Sequence, residues 1–227
     1  MRFLDGLDAD TQSMFTGQRR SVLHCTACMH TTDKVEPFMH VTVSVFPRLE
    51  ASIKDFCGQE ILDAPCAKCG VHGALLKQLH LAVTPEVMIF QIQRGTNDRK
   101  KNNTLVGYPL TLTVSSIMYD LVSVVTLEGP HLSTGHCTAI VKCSSNVWHM
   151  VDDAVSRRIP ESKVVNKQAY LLVYTARYTD ANAALRSKQV EAHDTAVADA
   201  ARRHEEAEFR SSLDAVAWRE RPGSTMR

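Results

Sequence analysis

The chain has 227 residues, 26 basic and 25 acidic side chains, a net charge of +1 and a 44% hydrophobic share. That balance gives no reason to expect nucleic acid or an anionic membrane as the main partner, and the 22% charged share is that of an ordinary globular protein. No apolar run approaches the roughly 18 residues of a membrane span, and the N-terminus, MRFLDGLDAD, lacks the apolar core of a secretory signal.

In chain order, residues 1–20 read as a polar lead-in with a turn at Gly17. Two Cys-x-x-Cys pairs then flank a body of mixed pattern between Val22 and Gly73. Inside it, His40–Phe46 alternates apolar and polar residues as a half-buried strand does, and Pro47 ends it. Leu49, Ile53 and Phe56 recur at helical spacing. Leu76–Val83 and Val87–Arg94 are apolar-rich runs separated by the turn Thr84-Pro85-Glu86, and a polar, basic loop follows from Gly95 to Asn103. Its Arg99-Lys100-Lys101 run reads as a solvated loop, not as a nucleic-acid contact.

Strand patterns continue at Leu110–Val114 and Tyr119–Leu127. His136–Cys143 and Val147–Val151 flank Ser144-Ser145-Asn146 as a hairpin, and Ala169–Tyr174 is a last apolar strand. Residues 180–220 are rich in Ala, Glu, Arg and Asp, which favours helix with a weak apolar stripe. Residues 221–227 read as disordered. Short strands outnumber helical patterns, so the expected class is α+β, mainly antiparallel β, with a C-terminal helical extension.

The seven cysteines are an odd number without a secretory signal. Reduced thiols in the cytoplasm or nucleus fit this better than a disulfide framework. Cys25-Thr-Ala-Cys28 and Cys66-Ala-Lys-Cys69 each place two sulfurs on a tight turn, and Gly70 and Gly73 ease the second. Four thiolates from two such turns suit a closed, structural zinc site without an open catalytic position. A redox pair at a helix start and four unrelated buried cysteines are the alternatives. His24, His30 and His72 read as surface residues near that site, and Cys57 and Cys143 as small packing or surface side chains.

His136 begins one hairpin strand, and Asp152 and Asp153 end the other. With the turn centred near Ser144, His136 and Asp152 are expected directly opposite each other, within reach of an imidazole–carboxylate hydrogen bond. Such a bond fixes the tautomer and leaves the other ring nitrogen free to take a proton. A plain polar pair at a sheet end reads the same way.

In order along the chain, these pieces resemble the ubiquitin-specific protease family of cysteine deubiquitinases. The resemblance runs through Phe15-Thr-Gly17, Cys25/Cys28, Glu60-Ile-Leu62, Cys66/Cys69 and Ala74-Leu-Leu-Lys77. It continues in Pro85–Arg94, with Gly95 where the family usually has phenylalanine, then Tyr108-Pro109-Leu110 and Tyr119-Asp-Leu121. Gly135-His136-Cys137 is similar to the family's Gly-His-Tyr box. Trp148-His-Met-Val-Asp152-Asp153 and Ala169-Tyr-Leu-Leu-Val-Tyr174 resemble its last two motifs. Thr126-Leu-Glu-Gly129 departs from the His/Gly pair often found there, although Gly129 remains.

The resemblance implies a lead-in at 1–20, zinc-binding fingers at 21–75, the palm sheet of a papain-like cysteine protease at 76–178 and a charged helical tail at 179–227. It implies hydrolysis of the isopeptide bond after ubiquitin's C-terminal glycine. His136 would be base and then acid, Asp152 its orienting carboxylate and Asp153 a polarising neighbour. The family's nucleophile lies in a Cys box ahead of the fingers, and no cysteine precedes Cys25. The nucleophile is therefore unknown, the chain alone is expected to be inactive, and an upstream segment or a separate chain is expected to supply the Cys box. The expected partners are ubiquitin and ubiquitinated proteins. A non-catalytic, zinc-stabilised ubiquitin-binding module or scaffold is the competing expectation.

Overall fold

A computed structural model of the chain describes residues 4–96, 100–129, 135–143, 145–165 and 168–219. The expected disorder of 221–227 and part of the expected basic loop, Arg99 included, fall outside these residues. Met1–Arg186 form one compact unit and Ser187–Arg227 a second.

A short helix, α1 (Ala9–Phe15), leads into the first sheet, its N-terminus capped by Asp8, which accepts the Thr11 N–H at 2.9 Å. Strand β1 is Gly17–Cys25 and β2 is Thr31–Phe38. They join β4 (Gln59–Leu62) and β5 (Leu75–Val83) in a four-stranded antiparallel sheet ordered β2-β1-β5-β4. Gly17 therefore begins a strand and makes no turn. It is glycine because β1 is wedged between neighbours: a Cβ there would stand 2.6 Å from the Phe38 ring and 2.7 Å from the Val83 carbonyl oxygen. β1 and β2 carry no alternating apolar pattern. Their polar side chains pair across the ladder, Arg19 with Glu36 at 3.0 Å and Arg20 with Asp33.

The second sheet has eight strands. They are β3 (Val41–Val43), β6 (Val87–Ile92), β7 (Thr111–Val114), β8 (Ile117–Glu128), β9 (His136–Lys142), β10 (Trp148–Asp152), β11 (Val155–Ile159) and β12 (Ala169–Ala176). Their order is β11-β10-β9-β8-β12-β6-β3, with β7 on β8. Only the β3–β6 pair is parallel among the described ladders. The strand expected at His40–Phe46 is shorter, and α2 (Leu49–Phe56) follows as its spacing predicts.

Val87–Phe90 of β6 are all buried, as in a strand covered on both faces, whereas β7 alternates buried and exposed positions. Phe90, Tyr119, Leu121, Val124, Ile140, Leu172 and Tyr174 pack together in the core, each contributing roughly 1.5–3 kcal/mol by leaving water. The buried tyrosines also find acceptors: Tyr119 Oη donates to Pro85 O at 2.7 Å, Tyr174 Oη to Pro109 O at 2.8 Å and Tyr108 Oη to Val164 O at 2.7 Å.

A long helix, α3 (Asp180–Arg219), is the last described element. Asn182 in its first turn donates to the carbonyls of Met118 and Arg177 and accepts from Met118 N–H, which fastens that turn to β8. No described helix is long and apolar enough to cross a membrane.

Candidate functional site

Cys25 ends β1, and the other three cysteines of the two pairs lie in turns. The paired register Cys25↔Leu75 brings the end of β1 beside the segment that follows the second turn. The Thr26 N–H and hydroxyl both donate to Ala74 O, at 2.9 and 3.2 Å, which ties one turn to the other. The backbones of the two turns repeat each other. Met29 N–H donates to Cys25 O and Gly70 N–H to Cys66 O, both at 2.8 Å, while Cys25 and Cys66 donate to His30 O and Val71 O at 2.8 and 3.0 Å.

The Cys25, Cys28, Cys66 and Cys69 sulfurs all lie within 4.8 Å of one another. Across the two turns, the Cys25–Cys69 and Cys28–Cys66 separations are both 3.8 Å. A tetrahedron with zinc–sulfur bonds of about 2.3 Å has sulfurs about 3.8 Å apart, whereas a disulfide needs about 2.05 Å. The four cysteines are a zinc-binding arrangement, and a metal held by them has no open position. No helix follows either pair, which removes the setting of a redox Cys-x-x-Cys. The backbone N–H groups of Cys69 and Lys68 hold the Cys66 thiol down to about 6, while Cys28, against the pull of the His30 N–H, is pushed up to about 12 by burial and the neighbouring thiols, so without metal the four sulfurs do not ionise alike. His24, His30 and His72 stay out of the cluster, and the His24 Nδ1 pairs with the Thr31 hydroxyl at 2.9 Å. Cys57 ends α2 against the core, and Cys143 is exposed.

In the second sheet, His136 opens β9 and Asp152 closes β10. His136 Nε2 lies 2.6 Å from Asp152 Oδ1. The expected direct opposition of the two is not what the ladder provides. Val151 pairs with Ala139 and Trp148 with Lys142, so continuing that register sets Asp152 against Thr138, two residues from His136. The bond is diagonal, and the imidazole and carboxylate reach along the strands to make it, which directly opposed neighbours would not need to do. The register shift comes from the hairpin loop, where Cys143 N–H closes on Val147 O at 2.9 Å and Asn146 takes a left-handed φ of 57°. Ser144, the expected turn centre, lies outside the described residues.

Asp153 occupies the next tight turn with φ 49°, and a carboxylate oxygen of it lies within 4.8 Å of a His136 ring nitrogen. The Asp152 hydrogen bond, then its charge, then Asp153 and Glu128 hold the His136 imidazole above its ordinary pKa. With Nε2 on the carboxylate, Nδ1 is the nitrogen left to accept a proton. Gly135 is required by contact: a Cβ would sit 2.6 Å from both Glu128 O and Leu127 Cδ1. Behind His136, the buried hydroxyls of Thr126 and Thr138 meet at 2.7 Å and hold β8 to β9. Cys137 pairs with Leu127 and is exposed, on the face of β9 opposite to its neighbour His136.

The expectation of a solvated basic loop is wrong for Lys101. It is 7% exposed, and its ammonium donates to Leu127 O and, at 3.1 Å, to Gly129 O. Arg94, expected at the end of a strand, lies beyond β6 and is 1% exposed. Its guanidinium donates to Ala169 O at 2.8 Å and to Asn102 O and Thr104 O at 2.9 Å. Charge alone places Lys101 at the surface, and the strand pattern that ends at Arg94 says nothing of its partners. Only the tertiary position of unpaired carbonyls marks them as buried, and no local pattern carries that signal.

A family model described as ubiquitin carboxyl-terminal hydrolase matches residues 7–174. The probable ubiquitin carboxyl-terminal hydrolase 8 of Schizosaccharomyces pombe is 30% identical over 175 residues, covering 72% of this chain and 38% of that protein. Ubiquitin carboxyl-terminal hydrolase 23 of Arabidopsis thaliana is 26% identical over 178 residues, covering 71% of this chain and 21% of that protein. The chain thus spans well under half the length of these relatives. Among solved structures, a chain of the SAGA DUB module of Ubp8, Sgf11, Sus1 and Sgf73 bound to monoubiquitin superposes with a TM-score of 0.69 at 23% identity. That match covers 77% of this chain and 43% of the other, and supports the fold.

Proposed function

Because the chain belongs to the ubiquitin carboxyl-terminal hydrolase family, we propose that it is the zinc-binding and histidine-bearing part of a thiol-dependent deubiquitinase. The observation that carries this reading is the 2.6 Å bond between His136 Nε2 and Asp152 Oδ1 beside Asp153. Asp152 holds the ring so that Nδ1 takes the proton of a thiol. The thiolate attacks the carbonyl carbon of ubiquitin's C-terminal glycine, and the protonated His136 then returns the proton to the departing lysine amine. Water, deprotonated by the same imidazole, releases the acyl group. Asp153 adds negative charge that favours the imidazolium formed in between. In this reading residues 21–75 are the fingers, 76–178 the palm, and ubiquitin conjugates in the cytoplasm or nucleus the substrates.

The nucleophile is assigned to a cysteine outside residues 1–227, on an upstream segment or a separate chain. Support comes from the seven thiols present. Four belong to the zinc cluster, Cys57 caps the end of α2 against the core, Cys143 lies beyond the end of β9, and Cys137 faces away from the side His136 uses.

The test is release of a fluorescent amine from the C-terminus of ubiquitin. The 227-residue chain alone is compared with the product of the reading frame extended upstream. Turnover by the extended product alone, abolished by His136→Ala, is the expected result. Turnover by the shorter chain overturns the external nucleophile. Ubiquitin binding without turnover in either product, unchanged by His136→Ala, overturns the upstream nucleophile and favours a binding module.

A further inference from the structure

Strand β8 outruns its neighbour. The last pair between β12 and β8 is Ala169↔Thr126, yet β8 continues through Leu127 and Glu128 to meet β9 on its other side, Leu127↔Cys137 and Glu128↔His136. Successive carbonyls of a strand point to opposite edges. Glu128 O lies on the β9 side, where it crowds Gly135. Leu127 O and Gly129 O therefore face the other edge, where no pair with β12 lies beyond Ala169↔Thr126 among the described residues. The Lys101 ammonium fills that place, donating to both.

We propose that Lys101 is a positioning residue for His136: it clamps the carbonyls on either side of Glu128, and so fixes the backbone against which His136 is laid. The proposal rests on the reading of His136 and Asp152 as the working pair.

A second buried cation supports the clamp. Arg94 holds the segment carrying Lys101 through the carbonyls of Asn102 and Thr104, anchors it to the start of β12 at Ala169 O, and receives Asn102 N–H on its own carbonyl at 2.7 Å. The connection runs from Arg94 through Asn102 to its neighbour Lys101, from Lys101 to Leu127 and Gly129 on either side of Glu128, and from Glu128 to its ladder partner His136. Both cations are bonded to backbone oxygens, and neither forms an ion pair with a carboxylate among the described residues. Burial and the nearby Arg94 charge pull the Lys101 pKa down. An ammonium bonded only to carbonyls is an expensive way to gain stability compared with an apolar side chain. It is an effective way to set two oxygens at a defined place, because three donors on one nitrogen reach both.

The test follows the imidazole of His136 by NMR as pH is raised, in the zinc-loaded 227-residue chain and in Lys101→Met, which keeps the buried stem and removes the ammonium. Removing a nearby positive charge by itself raises the pKa of an imidazole. Loss of positioning lengthens the Asp152 bond and lowers it. The expected result is a fall in the His136 midpoint of about half a pH unit, with faster amide exchange at His136–Thr138 and unchanged exchange at Ile140. Lys101→Gln, which keeps an N–H donor and is less prone to misfold, gives a smaller fall. An unmoved or raised midpoint in either folded variant overturns the proposal, as does equal loss of protection at Ile140. Asp152→Asn keeps the two readings apart. If it lowers the midpoint and Lys101→Met does not, the clamp alone fails. If Asp152→Asn does not lower it, the His136–Asp152 pair itself is not the source of the shift.

Discussion

Met29 and Gly70 occupy equivalent places in the two cysteine turns. Each follows the second cysteine of its pair, each donates its N–H to the carbonyl of the first, and each has a left-handed backbone, with φ of 60° and 72°. Only one of them is glycine. Left-handed φ costs a side-chain-bearing residue roughly 1–2 kcal/mol, partly offset by the freedom glycine loses on folding, roughly 0.5–1 kcal/mol. Met29 is 69% exposed and contributes little packing. Met29→Gly is therefore expected to stabilise the zinc-loaded chain by on the order of 0.5 kcal/mol. Gly70→Ala, with open space around its Cβ, should destabilise it by about 1 kcal/mol from backbone strain alone. Urea unfolding of the three proteins checks both signs.

Metal analysis of purified protein should find about one zinc per chain, as four thiolates at tetrahedral spacing require. Structural zinc binding is worth roughly 10–16 kcal/mol in small zinc-folded peptides, as much as the whole stability of a typical domain. Chelation or Cys66→Ser should therefore collapse the four-stranded sheet, read by circular dichroism. A chain that stays folded without metal contradicts the zinc reading.

The His136–Asp152 pair gives stability a defined pH dependence. The imidazole's folded pKa lies above its unfolded value, which is about 6.5. The contribution is thus complete below about 6.5 and disappears as pH rises through the raised folded value. Asp152→Asn should flatten stability across that window and leave it unchanged at higher pH. Both side chains are about half exposed, 50% and 48%, so the effect should also shrink as salt is added. Chemical denaturation at a series of pH values measures it. An identical pH profile in Asp152→Asn contradicts the assignment.

Gly135→Ala places a methyl group against the backbone oxygen of Glu128, which cannot swing away as a side-chain end could. The expected cost is about 1–3 kcal/mol, with exchange protection lost first at the His136 end of β9. Gly58→Ala, whose nearest contact is also a carbonyl oxygen, Asp55 O at 2.9 Å, should destabilise locally without touching His136. Comparing the His136 NMR signal in the two variants separates the effects.

Where a side chain alternates between core and solvent, the sequence was enough to find the element. β7, β9, β10 and Leu172–Tyr174 of β12 follow their apolar periods, and α2 follows its Leu49, Ile53, Phe56 spacing. β1 and β2 escaped because their stability lies in cross-strand pairs such as Arg19–Glu36, which leave no apolar period to read. The cysteine cluster was legible because metal geometry demands four sulfurs in two pairs. The histidine and aspartate were found, but their register was not, since a hairpin loop sets it and a one-residue change in loop conformation shifts every partner. Lys101 is not legible because a charged side chain advertises solvent, and nothing in the run Arg99-Lys100-Lys101 reveals the Leu127 and Gly129 carbonyls that receive its ammonium.

The stretch from Cys25 to Cys69 contains β2, β3, α2 and β4. β2 and β4 lie in the sheet beside the cysteines, but β3 leaves it to run parallel with β6 in the other. An ion gripping both ends therefore cinches a lasso whose far side is stitched into a different layer of the protein. Unthreading one layer strains the other, so the two should melt as a single cooperative event. By linkage, anything that unseats Val41 or Val43 from β6 must loosen the grip on the ion, although neither residue is near a sulfur ligand in sequence.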